Sequence, residues 1–352
     1  MTLSKMGGME AHRLRGSLLA GAIGDALGAR VEFDSMDRIR EIAGPAGITG
    51  FLSAYGGEGR FTDDTQMTLF TLEALVRAHA QRRRAPGLTC FGELEAYGRS
   101  GIRGGVDRPV NNSKGCGAAA NPTESRRTRA AAGPLVATRF RRGCGRISSE
   151  QHSMRVAPVA LWSDDLSEVF GLAAEAAALT HGHPSGYLSA GTFAVIVHEL
   201  LLGKPLLDAV GTARAELVRH PGHEEADAAL EQALAAPGPD TAAPAEPERL
   251  EALGRGDSGE TALAMSVYVA LTTEDAESAL LAAVNHGGDS DSTGSVCGNL
   301  VGAMYGEDAL PPGWLDRLEL REVITELADD AVAEFGPDAP SDDRWSSLYP
   351  VD

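Results

Sequence analysis

Two short acidic segments contain the residue types best suited to chemistry. In GRFTDDTQMTLF (59–70), Thr62, Asp63 and Asp64 stand just before an apolar run of helical period. In NHGGDSDSTGSVCGNLVGAMYG (285–306), Asp289, Asp291 and Ser292 stand just before another. Helix capping accounts for part of each pattern: Asp63 with Gln66 reads as a capping box, and Ser292 or Asp291 suits the second N-terminus. One capping side chain suffices, yet each segment adds a further carboxylate and a hydroxyl. Gly287-Gly288 also permits a close backbone approach. If the segments converge, four carboxylates carry a charge of −4, and two helix N-termini at about +0.5 each offset little of it. A cation must complete such a site. The donors are all oxygens, which suits Mg²⁺, Mn²⁺ or Ca²⁺ rather than Zn²⁺ or Cu. Two divalent ions, about 3.5 to 4 Å apart when they share ligands, would roughly balance the charge. The residues alone therefore point to a binuclear, oxygen-ligated hydrolase.

Other motifs carry less. GRGDSG (254–259) satisfies G-x-G-x-x-G, but a helical pattern precedes it and no βαβ unit surrounds it. DSDSTG (289–294) opens like a calcium-binding loop, yet Leu300 stands where a bidentate Glu is required. His181 and His183 have no third nitrogen or sulfur ligand nearby in sequence. The four cysteines form no C-x-x-C pair, so neither a zinc ribbon nor a disulfide framework is signalled.

The elements that must position the acids are mostly helices. Helical periodicity runs over residues 14–27, 62–80, 156–162, 166–179, 189–202, 261–271 and 273–284, with a final pair after Leu315. Strand signals are few, so a mainly α fold is expected, as a single domain over residues 1–352. Gly294, Gly298 and Gly302, with Ser295, would let another backbone lie close to the helix after Asp291. Residues 236–249 form a Pro/Ala-rich loop by composition, and residues 118–153 carry seven arginines against two glutamates. Apolar spacing is sustained nowhere in 118–153, so a surface excursion is expected there. A lid whose arginines engage a diphosphate is the alternative.

The net charge of −19 disfavours nucleic acid and anionic membranes as main partners. No apolar run approaches the length of a membrane span, and Asp25 interrupts the one N-terminal stretch that could pass for a signal peptide. A cytoplasmic location is expected.

GSLLAGAIGDALGARVEF (16–33), GRFTDDTQMTLF, SKGCG (113–117), MRVAPVALW (154–162), THGHP (180–184) and HGGDSDSTGSVCGNLVGAMYG (286–306) occur in this order. Together they resemble the ADP-ribosylglycohydrolase family, which includes dinitrogenase-reductase-activating glycohydrolase. The resemblance implies an all-α orthogonal bundle around a central binuclear metal site, with two Mg²⁺ or Mn²⁺ ions. It also implies cleavage of a glycosidic bond at the anomeric carbon of ADP-ribosylated protein or small-molecule substrates, releasing ADP-ribose. It assigns Thr62, Asp63, Asp64, Asp289, Asp291 and Ser292 as metal ligands, with Thr293 a possible substitute for Ser292. Glu32 is implied for proton transfer, and Ser113, Gly115, Gly117 and His181 for substrate binding. Asp25 reads instead as a buried structural acid bonded to backbone. One departure stands out: the arginine-rich insertion at 118–153 separates SKGCG from MRVAP, which adjoin in the family pattern.

Two other functions use the same residues. A two-metal phosphoesterase needs a basic clamp for the phosphoryl group, which neither acidic segment supplies. A non-catalytic ADP-ribose-binding member would be marked by loss of a ligand carboxylate or of Glu32, and neither is lost.

Overall fold

The computed structural model describes residues 8–84, 155–178, 182–235 and 246–349. In chain order the helices are α1 (Gly8–Gly28), α2 (Met36–Ala43), α3 (Asp63–Arg84), α4 (Leu166–Ala178), α5 (Pro184–Leu201), α6 (Leu206–Leu217) and α7 (Glu224–Ala235). They continue as α8 (Pro247–Glu251), α9 (Gly259–Thr272), α10 (Ala276–Val284), α11 (Ser290–Tyr305), α12 (Pro312–Leu315), α13 (Arg321–Phe335) and α14 (Asp343–Leu348). A 3-10 turn spans Ala157–Leu161. Extended pairing among the described residues is limited to one bridge, Ala54 with Gly57, so the all-α expectation is met.

The facing stretches of α1 and α11 are built largely of apolar or small residues, as suits helices buried all round. Every residue from Gly16 to Ala29 in and just after α1 is buried, as is every residue of α11 from Ser290 to Ala303. These two helices run antiparallel along a seam of small residues. Gly16 faces Gly302, Ala20 faces Gly298, Gly24 faces Gly294, and Gly28 faces the Asp291 backbone. Four-residue spacing on both helices keeps these positions on one face. A Cβ added at Gly24 would land on the Gly294 carbonyl, and one at Gly302 on that of Gly16. A helix-interior glycine costs roughly 0.5–1 kcal/mol relative to Ala, so the seam forgoes local helix stability for close approach. That approach sets the C-terminal end of α1 beside the N-terminal end of α11.

Arg13 fastens the opposite end of the seam by donating to the carbonyls of Ala303 and Met304, at 2.7 and 2.8 Å. α5 and α9 pack around α11 and are themselves almost wholly buried. The expected stop of α1 at Gly28 is observed. Helices α2, α6 and α7 form where no periodic run is read from the sequence. The last residues of the 236–249 segment belong to α8 rather than to a loop; residues 236–245 and the 118–153 insertion lie outside the described residues.

Candidate metal and active site

The first acidic segment is set by a residue remote in sequence. Asp25 lies wholly buried in the last turn of α1, where the helix dipole disfavours an anion. Its Oδ1 accepts the Thr62 amide at 2.8 Å, and its Oδ2 accepts the Thr65 amide at 3.0 Å and the Thr65 hydroxyl at 2.6 Å. Asp25 thus satisfies N–H groups that the start of α3 leaves open, as expected of a structural acid. The expected Asp63–Gln66 capping box is not the arrangement found. Asp63 is the first helical residue, and Thr62 precedes it, its hydroxyl accepting the Asp64 amide at 3.3 Å. The Asp63 and Asp64 carboxylates are thereby released from capping.

The second segment is held mainly by backbone. The Asp289 amide donates to the Arg255 carbonyl at 2.8 Å, and the Gly288 carbonyl accepts the Phe33 amide at 2.8 Å. Glu251 Oε1 accepts the Gly287 amide at 2.8 Å. A Cβ at Gly288 would collide with the Arg255 carbonyl, so glycine is required there. Asp289, rather than Ser292 or Asp291, is the N-cap residue of α11. The Ser292 amide is shared between Asp291 Oδ1 at 3.0 Å and Asp289 Oδ1 at 3.4 Å.

The two segments converge. Ser292 Oγ donates to Asp64 Oδ2 across 3.0 Å. Thr293 is turned away, its hydroxyl bonded to the Asp289 carbonyl at 2.8 Å, so of the two candidate hydroxyls Ser292 is the one on the acidic face. Half-buried Glu32, in the turn after α1, brings a carboxylate oxygen to the same place: one oxygen each of Glu32, Asp289 and Asp291 lie within 4.8 Å of one another.

Burial raises the pKa values of Asp63, Asp64 and Asp291, and Asp25 is pushed up to about 7 by the same cause. Mutual repulsion adds to the effect: Asp64 feels Asp25, Asp63 and Asp289, while Asp291 feels Asp289, Asp64 and Glu32. His286, buried beside the glycine loop, has its pKa lowered to about 4 by desolvation. It is therefore neutral near pH 7 and brings no compensating positive charge. A compact all-oxygen donor set of high negative charge matches hard divalent cations; the residues present fit such an ion.

Ser113, Gly115, Gly117 and His181 lie outside the described residues. His183 precedes α5 and pairs its Nδ1 with Ser185 Oγ at 2.9 Å. GRGDSG links α8 to α9 rather than lying in a βαβ unit. It supplies the carbonyl that anchors Asp289 and the capping residue, Ser258, of α9. Sequence reasoning missed this support, together with Glu251 and Asn285. Asn285 holds the 47–48 turn through the Ile48 amide at 2.7 Å and carbonyl at 2.9 Å.

A buried pair of acidic helix N-termini in an all-helical bundle defines the class of protein. The family model for ADP-ribosylglycohydrolase matches residues 8–340. The chain belongs to the ADP-ribosylglycohydrolase family. An ADP-ribosyl-[dinitrogen reductase] glycohydrolase from Rhodospirillum rubrum is 29% identical over 326 residues, 90% of this chain and 94% of the relative. An uncharacterized protein of Archaeoglobus fulgidus is 28% identical over 331 residues, covering 90% of this chain and 95% of its own. A solved ADP-ribosylglycohydrolase-related protein complex superposes with a TM-score of 0.59 at 25% identity, over 92% of this chain and 97% of that one. Among the described residues no helix is long and apolar enough to cross a membrane.

Proposed function

We propose that this chain is a divalent-metal-dependent hydrolase that cleaves the glycosidic bond between ADP-ribose and the group it modifies. The observation that carries the reading is the meeting of the two acidic segments: Ser292 bonded to Asp64, and Glu32 brought against Asp289 and Asp291. Family membership supports the choice of ADP-ribose conjugates, and the Rhodospirillum relative is named for such a substrate. Thr62, Asp63, Asp64, Asp289, Asp291 and Ser292 would hold two Mg²⁺ or Mn²⁺ ions. When bound, such ions supply Lewis acidity, orienting ribose hydroxyls and polarising a water.

The chain's own part is positioning and proton transfer. Glycosidic cleavage passes through an oxocarbenium-like transition state that needs a carboxyl group able to move a proton at the leaving atom. Glu32 serves that role, because it approaches the cluster from the turn after α1 while the aspartates stand on two helix ends. Ser113, Gly115, Gly117 and His181 are assigned to ADP-ribose on the family pattern.

A screen of ADP-ribosylated substrates with Mg²⁺ and with Mn²⁺, following release of ADP-ribose, tests the reading. Glu32→Gln should keep most ADP-ribose affinity while turnover falls by about 100-fold or more. Asp289→Ala should impair both. Full activity in Glu32→Gln would remove that residue from the mechanism.

A further inference from the structure

At the end of the glycine seam remote from the acidic turns, a second group of metal-ligating side chains meets. His12 comes from the first half of α1, while Glu307 and Asp308 follow Gly306, the residue that ends α11. One ligand atom of each lies within 4.8 Å of the other two. His12 Nδ1 stands 3.7 Å from Glu307 Oε1 and 3.9 Å from Asp308 Oδ2. Both gaps are too long for a hydrogen bond. Donors about 2.0–2.2 Å from a tetrahedral ion stand roughly 3.3–3.6 Å from one another, so the carboxylates need close by only a few tenths of an ångström to share one.

The surroundings support a site rather than a chance meeting. A Cβ at Gly306 would fall on His12 Nε2, and Gly306 has φ 81°, so glycine is required there on both counts and its backbone holds the ring. With Nε2 against that backbone, Nδ1 is the nitrogen turned to the acids. Arg15 donates to Glu307 Oε1 at 3.2 Å and also bonds Asp329; ligating carboxylates commonly have such an outer partner. The charges of Arg15 and Asp329 cancel, which leaves Glu307 and Asp308 to balance one divalent ion. A cavity of about 420 Å³ has Glu307 and Asp308 in its wall, giving an ion an entry path and room for bound water.

We propose that His12, Glu307 and Asp308 form a second metal site that takes one Zn²⁺-type ion, its coordination completed by water. The imidazole sets the preference: mixed nitrogen and oxygen donors suit Zn²⁺, whereas Mg²⁺ and Ca²⁺ take oxygen. The acidic turns offer oxygen alone, so the two ends of the seam sort ions by donor type. They are also well separated, since His12 and Gly28 stand roughly 24 Å apart along α1 at about 1.5 Å per residue. A bound ion would tie α1 directly to the chain that follows α11, whatever reaction the acidic turns perform.

Calorimetric titration of Zn²⁺ into the full-length protein in excess Mg²⁺, which competes for the acidic turns, tests the site. His12→Ala, Asp308→Asn and Asp291→Asn are titrated alongside, and His12 ring signals are followed by NMR. The Asp308 side chain is 92% exposed, so Asp308→Asn keeps the test valid even if His12→Ala fails to fold. One Zn²⁺ per chain should bind and shift the His12 signals, which Mg²⁺ alone should leave in place. Affinity should fall about tenfold or more in His12→Ala and in Asp308→Asn, because loss of even an outer partner costs that much. Asp291→Asn should bind this ion as the unaltered protein does. If the three residues form only an ion pair with a protonated imidazole, no Zn²⁺ will bind through them. Absence of binding in excess Mg²⁺, binding unchanged in Asp308→Asn or in a folded His12→Ala, or binding lost in Asp291→Asn would each overturn the proposal.

Discussion

The turn at 62–65 is held in place by one side chain, Asp25, whereas the turn at 286–292 is held mainly by backbone bonds and by the glycine seam beneath it. The first can be loosened by deleting a single carboxylate. The second yields mainly to added bulk, because most of its support is carbonyls and amides, with Glu251 adding a side-chain bond to the Gly287 amide. Half of the candidate site is therefore fixed by a replaceable polar group and the other half largely by backbone and by the absence of side chains.

Adding bulk to the seam should have the largest effect. Gly24→Val or Gly294→Val places atoms where the facing backbone lies, at a cost of about 3 kcal/mol or more. Chemical denaturation should show the midpoint fall, and an unchanged midpoint would mean the helices are not in this contact. Asp25→Ala should be milder, about 1–3 kcal/mol, since it leaves the Thr62 and Thr65 amides without their acceptor. Thermal melts should show this loss, with weakened divalent-ion affinity, while spectroscopic helix content is kept.

A third effect separates the site from its scaffold. The folded pKa values of Asp25, Asp64 and Asp291 lie above the ordinary 3.8, so protonation favours the folded, metal-free protein. That contribution is complete below about 3.8 and is lost as pH rises through the folded values, near 7 for Asp25. Chelated protein should therefore melt at lower temperature at pH 8 than at pH 6, and Mg²⁺ should raise the melting point more at pH 8. A chelated protein more stable at pH 8 would contradict this. The smallest effect belongs to the strained turns. Tyr55→Gly or Phe33→Gly relieves a left-handed conformation and should stabilise by up to about 1 kcal/mol, a shift that thermal melts should show.

Much of this organisation is legible in the sequence because its causes are local. Gly294, Gly298 and Gly302 announce a close helix contact by their spacing, and each acidic turn declares itself by carrying more carboxylates than a helix cap needs. The cap of α3 is not legible, since Asp25 comes from a different helix and no pattern near Asp63 reveals it. Adjacent Ser292 and Thr293 offer the same donor, and only the phase of α11 shows which faces Asp64. The strain at Tyr55 leaves one trace, a Tyr-Gly-Gly turn lacking Asn or Asp at its first position. Phe33 leaves none, since its amide is bonded to Gly288, far away in sequence.

The central claim is that the two acidic turns form one divalent-ion site. Calorimetric titration of Mn²⁺ or Mg²⁺ into chelator-treated protein tests it most directly, with Asp63→Asn and Asp291→Asn titrated alongside. Two ions should bind per chain in the unaltered protein, and each substitution, although on a different helix, should weaken or abolish binding of at least one. No divalent-ion binding, or binding unchanged in either variant, would contradict the account.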